Sequence, residues 1–160
     1  MESRVTNESN EEGKRIVRRY YEEVFVQRNL TALDELFAPD FIGRSTTYGT
    51  YTLSDMRRDI AREHEAMPDD EIIVEEQTAE NDRIVTRWRY RWKHDQSLFG
   101  ETPSGEWVEM EGVHFDRLAS GKIVSRWEVK DFWGVVTRLG GKATFSDGPP
   151  IDALHESSHE

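Results

Sequence analysis

The stretch Arg83-Ile-Val-Thr-Arg-Trp-Arg-Tyr-Arg-Trp-Lys93 alternates without a break. Its even positions are Ile84, Thr86, Trp88, Tyr90 and Trp92, and its odd positions are Val85, Arg87, Arg89, Arg91 and Lys93. Successive side chains of a strand point to opposite faces, so this strand has one aromatic and one cationic face. The aromatic face has to be covered, and the helical segments elsewhere in the chain are the available cover. Three further segments rich in β-branched and aromatic residues read as strands: Ile72 to Thr78, Trp107 to Leu118 and Lys122 to Val129. Asn81-Asp82 and Ala119-Ser120-Gly121 are turn sequences, so successive strands are expected to pair as antiparallel hairpins.

Helices precede the strands. Ile16, Val17, Tyr20, Tyr21, Val24 and Phe25 form one broad apolar stripe at helical spacing. A short helix is expected over Leu30 to Phe37, capped by Asn29 and stopped by Pro39. A third is expected to start after Ser54 and end at Met67 before Pro68. A last one, Phe132 to Leu139, is closed by Gly140 and Gly141. The order predicts an α+β domain with helices on one face of a curved sheet. It spans 11–140, between a flexible arm at 1–10 and an acidic tail at 141–160 with a docking point at Ile151 and Leu154.

The 160 residues include no cysteine, which removes disulfides, thiolate metal sites and thiol nucleophiles. A formal charge of −11 argues against nucleic acid as main partner. Basic residues interleaved with aromatics can also mark a single-strand groove. Here, however, Glu109 and Glu111 share a parity that would set them against the arginine row. No apolar run is long enough to cross a membrane and the first residues are polar, so a cytoplasmic location is expected. Of the 21 basic residues five are lysine and sixteen arginine. With so many acidic groups, that composition suits a high-salt environment that screens self-repulsion, or an arginine-biased genome. Trp107, Val113 and Phe115 share the parity of Glu109 and Glu111, and apolar residues on an outer face predict a sheet-to-sheet homodimer.

Three residues are candidates for chemistry. His114 shares the inward parity of Val108 and Met110, unless Gly112 marks a bulge that reverses it. Regular alternation in Lys122 to Val129 groups Ile123, Ser125, Trp127 and Val129 on one face, which places Glu128 outside with Arg126. A guanidinium that close would hold the carboxylate ionised. Asp131 stands where it would cap the last helix. No metal spacing, phosphate loop or nucleophile motif occurs.

The order and spacing of several segments is similar to a known family. They are Val17-Arg-Arg-Tyr-Tyr-Glu-Glu-Val24, Asn29 to Phe41 (ending Phe-Ala-Pro-Asp-Phe), Thr102-Pro-Ser-Gly105, Gly112-Val-His114, Gly121-Lys-Ile-Val124, Trp127-Glu128, Asp131-Phe-Trp-Gly134 and Arg138-Leu-Gly140. From about Lys14 to Gly140 the chain resembles the SnoaL-like polyketide cyclases, or ester cyclases, of the nuclear transport factor two-like superfamily. The resemblance implies a cystatin-like cone, a curved antiparallel sheet wrapped around a long N-terminal helix, with a pocket at its open end. It implies an intramolecular aldol condensation without cofactor or metal, on a small apolar or aromatic carbonyl ligand. The catalytic carboxylate falls on Glu128 and the pocket histidine on His114. The expected substrate-binding set is Tyr20, Tyr48, Trp88, Trp92, Met110 and Asp131. Two alternatives stay open on the same fold: a non-catalytic small-molecule-binding protein, and a ketosteroid-isomerase-like isomerase.

Overall fold

The computed structural model describes residues 2–97 and 102–141. Helix α1 (Glu2–Arg19) runs into a π-helical segment, Tyr20–Val26. The residues read as an arm are thus helical from Glu2 onward. That part of α1 has no apolar period, and Lys14–Glu11 and Arg15–Glu12 pair further along the same helix. The tail at 142–160, with Ile151 and Leu154, lies outside the described residues. In the π-helical segment the chain bonds at i→i+5, as from Gln27 N–H to Glu22 O, and Tyr20, Tyr21 and Val24 all turn inward.

A short α2 (Ala32–Leu36) leads into β1 (Phe37–Ser45) and β2 (Gly49–Thr52), neither of which the sequence pattern announced. The second helix therefore stops one residue short of Phe37, and Pro39 lies inside a strand. It is tolerated there because the register of β1 shifts between Phe37 and Ile42, where the ladder is interrupted. Helix α3 (Leu53–Ala66) begins earlier than expected. Its cap is Thr52, whose side chain accepts from Asp55 N–H while the Asp55 carboxylate accepts from Thr52 N–H. Then follow β3 (Glu71–Glu80), β4 (Arg83–Lys93), β5 (Trp107–Ala119), β6 (Lys122–Lys130) and α4 (Phe132–Arg138).

The six strands form one curved, open sheet in the order β2-β1-β6-β5-β4-β3. All neighbours are antiparallel except β1 and β6, which run parallel because the chain crosses from one end of the sheet to the other between them. Helix α1 and the π-helical segment lie in its concavity against β3 and β4. Gly13 makes that approach possible, since a Cβ there would come within 2.6 Å of Ile84 Cδ1.

The alternation of β4 is as the sequence predicts: Ile84, Thr86, Trp88, Tyr90 and Trp92 are all buried. Outside, Arg89 lies between Glu75 and Glu109, and Arg91 faces Glu71. Gly112 is not a bulge. It pairs in regular register with Trp88, and a Cβ on it would lie 2.2 Å from Trp88 Cζ2, so the glycine makes room for the indole. The bulge is in β6. Leu118 pairs with Ile123 and Arg117 with Ser125, leaving Val124 as one extra residue. Beyond it the parity reverses: Ile123 is inward, and so are Arg126 and Glu128, while Trp127 and Val129 turn out. The outward placement of Glu128 that regular alternation predicts is therefore overturned.

Candidate active site

The bulge at Val124 completes a polar row across the inner face of the sheet. Register sets Gln77 of β3 beside Thr86 of β4, Thr86 beside His114 of β5, His114 beside Glu128 of β6, and Glu128 beside Ser45 of β1. His114 and Glu128 are 4 % and 2 % exposed, and His114 Nε2 lies 3.1 Å from Glu128 Oε2. The contact is out of line for a well-formed hydrogen bond, so Nε2 remains a buried donor without a partner among the described residues.

Hydrogen bonds fix which ring nitrogen carries the proton. The Arg18 guanidinium can only donate, and its Nε and Nη2 meet Gln77 Oε1 at 3.0 and 2.9 Å. Gln77 Nε2 must then point at Thr86 Oγ1, 3.0 Å away. With its oxygen accepting from Gln77, the Thr86 hydroxyl has its own proton to turn towards the neighbouring Tyr21 phenol. Tyr21 O–H donates to His114 Nδ1 at 2.7 Å, with the two rings stacked. The ionised Glu128 carboxylate can only accept and lies 3.1 Å from Nε2, so the imidazole proton sits on Nε2 and Nδ1 accepts from Tyr21. Burial, with the Arg126 cation nearby, pushes the His114 imidazolium down to about 4, so the ring is neutral near pH 7.

Burial alone would raise the Glu128 carboxyl. His114, the Lys130 cation and the Tyr48 hydroxyl overcome it and hold the group well below the usual carboxylate range. Tyr48, on the β1–β2 turn, donates a short hydrogen bond to Glu128 Oε1. Lys130 Nζ lies 3.5 Å from the same oxygen and donates to Tyr48 at 3.0 Å. Arg126 is not what holds Glu128 ionised, because it is neutralised elsewhere. It makes a two-pronged pair with Asp116, at 2.7 and 3.1 Å, and lies over the Tyr20 ring.

These groups floor a pocket enclosing about 70 Å³. Of the expected substrate-binding residues, Tyr20, Tyr48, Trp88 and Met110 line it with His114 and Glu128. Trp92 does not. It is buried beside Tyr90 in the core, two residues further along β4. Asp131 does not either: its carboxylate accepts from Gly134 N–H at 2.8 Å and caps α4. Missed by the sequence reading were Lys130, Tyr51 and the inner face of α3, formed by Met56, Asp59, Ile60 and Glu63. Their i, i+3, i+4, i+7 spacing was a usable signal, with two carboxylates set among the apolar residues. Among the described residues no three His, Asp or Glu side chains converge as metal ligands.

Comparison with known proteins gives the family and the fold. A family model, SnoaL-like polyketide cyclase, matches residues 15–139. The fold is that of AclR from Streptomyces galilaeus, proposed to be a hydroxylase, at 24 % identity and TM-score 0.75, covering 94 % of this chain and 96 % of that one. A proposed SnoaL-like polyketide cyclase from Jannaschia is 22 % identical over 84 % of this chain and 96 % of its own, with TM-score 0.72. IdmH of Streptomyces antibioticus, a proposed polyketide cyclase, is 23 % identical over 80 % and 98 %, with TM-score 0.73. Among curated proteins none gives a significant match.

Proposed function

The chain belongs to the SnoaL-like polyketide cyclase family, and from that premise we propose that it removes a proton next to a carbonyl and closes a ring by an aldol-type step, without a cofactor. The observation that carries this is the inward Glu128 facing a neutral His114 whose proton is fixed on Nε2. A base must be within reach of the proton it takes, and the developing enolate oxygen needs a donor aimed at it. Glu128 is the base in this reading, and the His114 Nε2–H is the donor to the enolate.

The resting carboxylate is ionised throughout the neutral range but weakly basic. Tyr48 ties both facts to substrate entry. The cavity is about half the roughly 150 Å³ that accommodates a benzene, so a ring-sized ligand needs a wall side chain to move, and half-exposed Tyr48 is the one hydrogen-bonded to Glu128. Its movement removes a hydrogen bond from Glu128 Oε1 and strengthens the base as the ligand arrives. The ligand class is a small apolar or aromatic carbonyl compound, matching the lining of Tyr20, Trp88 and Met110. The working unit in this account is a homodimer. Its interface is the outer face, where Trp107, Phe115 and Trp127 are all more than 40 % exposed and Phe115 packs edge-on against Trp127. No helix among the described residues is long and apolar enough to cross a membrane.

Deuterium exchange tests the reading without knowledge of the natural substrate. Phenylacetone in D2O should lose its methylene protons faster with the protein than without it. Glu128→Gln should abolish the acceleration while circular dichroism stays unchanged. Equal exchange by wild type and variant would favour a binding protein over an enzyme.

A further inference from the structure

Proton abstraction is half of a ring closure. Removing a Cα proton passes it to Glu128 and leaves an enolate, and the enolate carbon then attacks a second carbonyl. The π pair of that carbonyl moves onto its oxygen, which needs a proton before the product can leave. Glu128 cannot readily supply it from the same position, since it faces the carbon that has just reacted. The other carboxyls on the pocket wall, Asp59 and Glu63, belong to α3.

Glu63 stands on that wall. It lines the same pocket as Glu128, one helical turn beyond Asp59 and Ile60, with its side chain largely out of solvent. Asp59 pairs with Arg58, and Glu128 is held by Tyr48 and Lys130. The Glu63 carboxyl makes no hydrogen bond or ion pair among the described residues. The groups that face it are Asp59 on α3, Asp70 beyond it, Tyr90 on β4, Tyr48 on the β1–β2 turn, and Glu128 and Lys130 on β6. Arg58 and Arg28 already pair with Asp59 and Asp70, and Lys130 with Glu128, so burial is the main reason for Glu63 to stay neutral, with the neighbouring carboxylates adding to it.

Resting on the enolising role of Glu128, we propose that Glu63 is the general acid that protonates the alkoxide formed on ring closure. The proton taken from carbon goes to Glu128, the proton given to oxygen comes from Glu63, and water returns one from Glu128 to Glu63 to reset the site. Burial, with the neighbouring carboxylates, pushes the Glu63 carboxyl up, while Glu128 is held well below the usual carboxylate range. Two carboxyls driven apart in this way divide base and acid between them.

The test separates the two halves of the reaction. Exchange of phenylacetone needs only the base. Retro-aldol cleavage of the β-hydroxy ketone formed from benzaldehyde and acetone needs both groups, since the reverse reaction takes its hydroxyl proton to Glu63. Glu63→Gln should lower the ratio of cleavage to exchange by about 100-fold, the usual scale for a lost acid–base group. Glu128→Gln should lose both. In carbon-13 titrations of glutamate-labelled protein, the signal absent from Glu63→Gln should have its midpoint above about 4.3. A ratio unchanged in Glu63→Gln, or a midpoint at or below the ordinary value, overturns the assignment of Glu63 alone. Absence of exchange by the wild type overturns the role of Glu128, and that of Glu63 with it.

Discussion

Asp116→Asn tests the frame beneath the site. The Asp116 and Arg126 side chains are 0 % and 1 % exposed and joined by two hydrogen bonds. The guanidinium cannot escape an unpaired interior by losing its proton, as a carboxylate or imidazole would. An asparagine keeps the shape and one acceptor, but turns an NH2 towards the second guanidinium nitrogen. One charge-assisted bond, about 1.5–3 kcal/mol, is lost outright, and the remaining charge is uncompensated. Breaking a buried pair costs about 3–5 kcal/mol, and asparagine belongs at the lower end, near 3 kcal/mol. For a domain of this size that is about 6–12 °C in Tm. Urea unfolding at pH 7 measures it directly. The double change Asp116→Leu with Arg126→Met should recover most of the loss, since replacing both partners removes the stranded charge. A loss below about 1 kcal/mol for Asp116→Asn would refute the reasoning and show that water or another group reaches Arg126.

Other consequences follow from the sheet. Deleting Val124 removes the extra residue of β6, so the ladder must either break or turn Arg126 and Glu128 outwards. The deleted chain should fail to fold cooperatively in urea, whereas Val124→Ala, which keeps the residue count, should unfold within about 1.5 kcal/mol of wild type. Near-normal stability of the deletion would contradict the account of the bulge. On the outer face, Phe115→Arg should convert a dimer to a monomer in light scattering at micromolar concentration, and a monomeric wild type would remove the proposed interface.

The sequence carried the sheet better than its irregularities. The β4 alternation located the buried aromatic face before any coordinates, and the four-strand meander emerged with ends shifted by two residues at most. Strands β1 and β2 were illegible because Pro39 and short, glycine-punctuated pairing mimic a helix end followed by a loop. Parity misled at Glu128 for a definite reason. A bulge needs a count of both paired strands, and one strand read alone cannot show that its partner is a residue shorter. The family resemblance placed Glu128 and His114 as the pair that the register then brought into contact. Trp92 and Asp131 were also expected to bind substrate and neither reaches the pocket, while the capping role that position gave Asp131 is the one it fills. Lys130 and Glu63 belong to long-range geometry, since only folding sets α3 opposite the end of β6.

The pH profile of phenylacetone exchange, measured side by side for wild type and Glu128→Gln, tests the central claim most directly. Glu128 is ionised and His114 neutral above about pH 5, given an imidazole near 4 and a carboxyl held lower still. As pH falls through the His114 value the ring gains its proton on Nδ1, which breaks the bond accepted from Tyr21 O–H, and the imidazolium beside Glu128 lowers the basicity of the carboxylate further. The account predicts a rate that is flat from about pH 5 to 8, declines towards pH 4, and is absent from the glutamine variant throughout. A rate that survives in Glu128→Gln, or that appears only as pH rises through the ordinary histidine range, would contradict it.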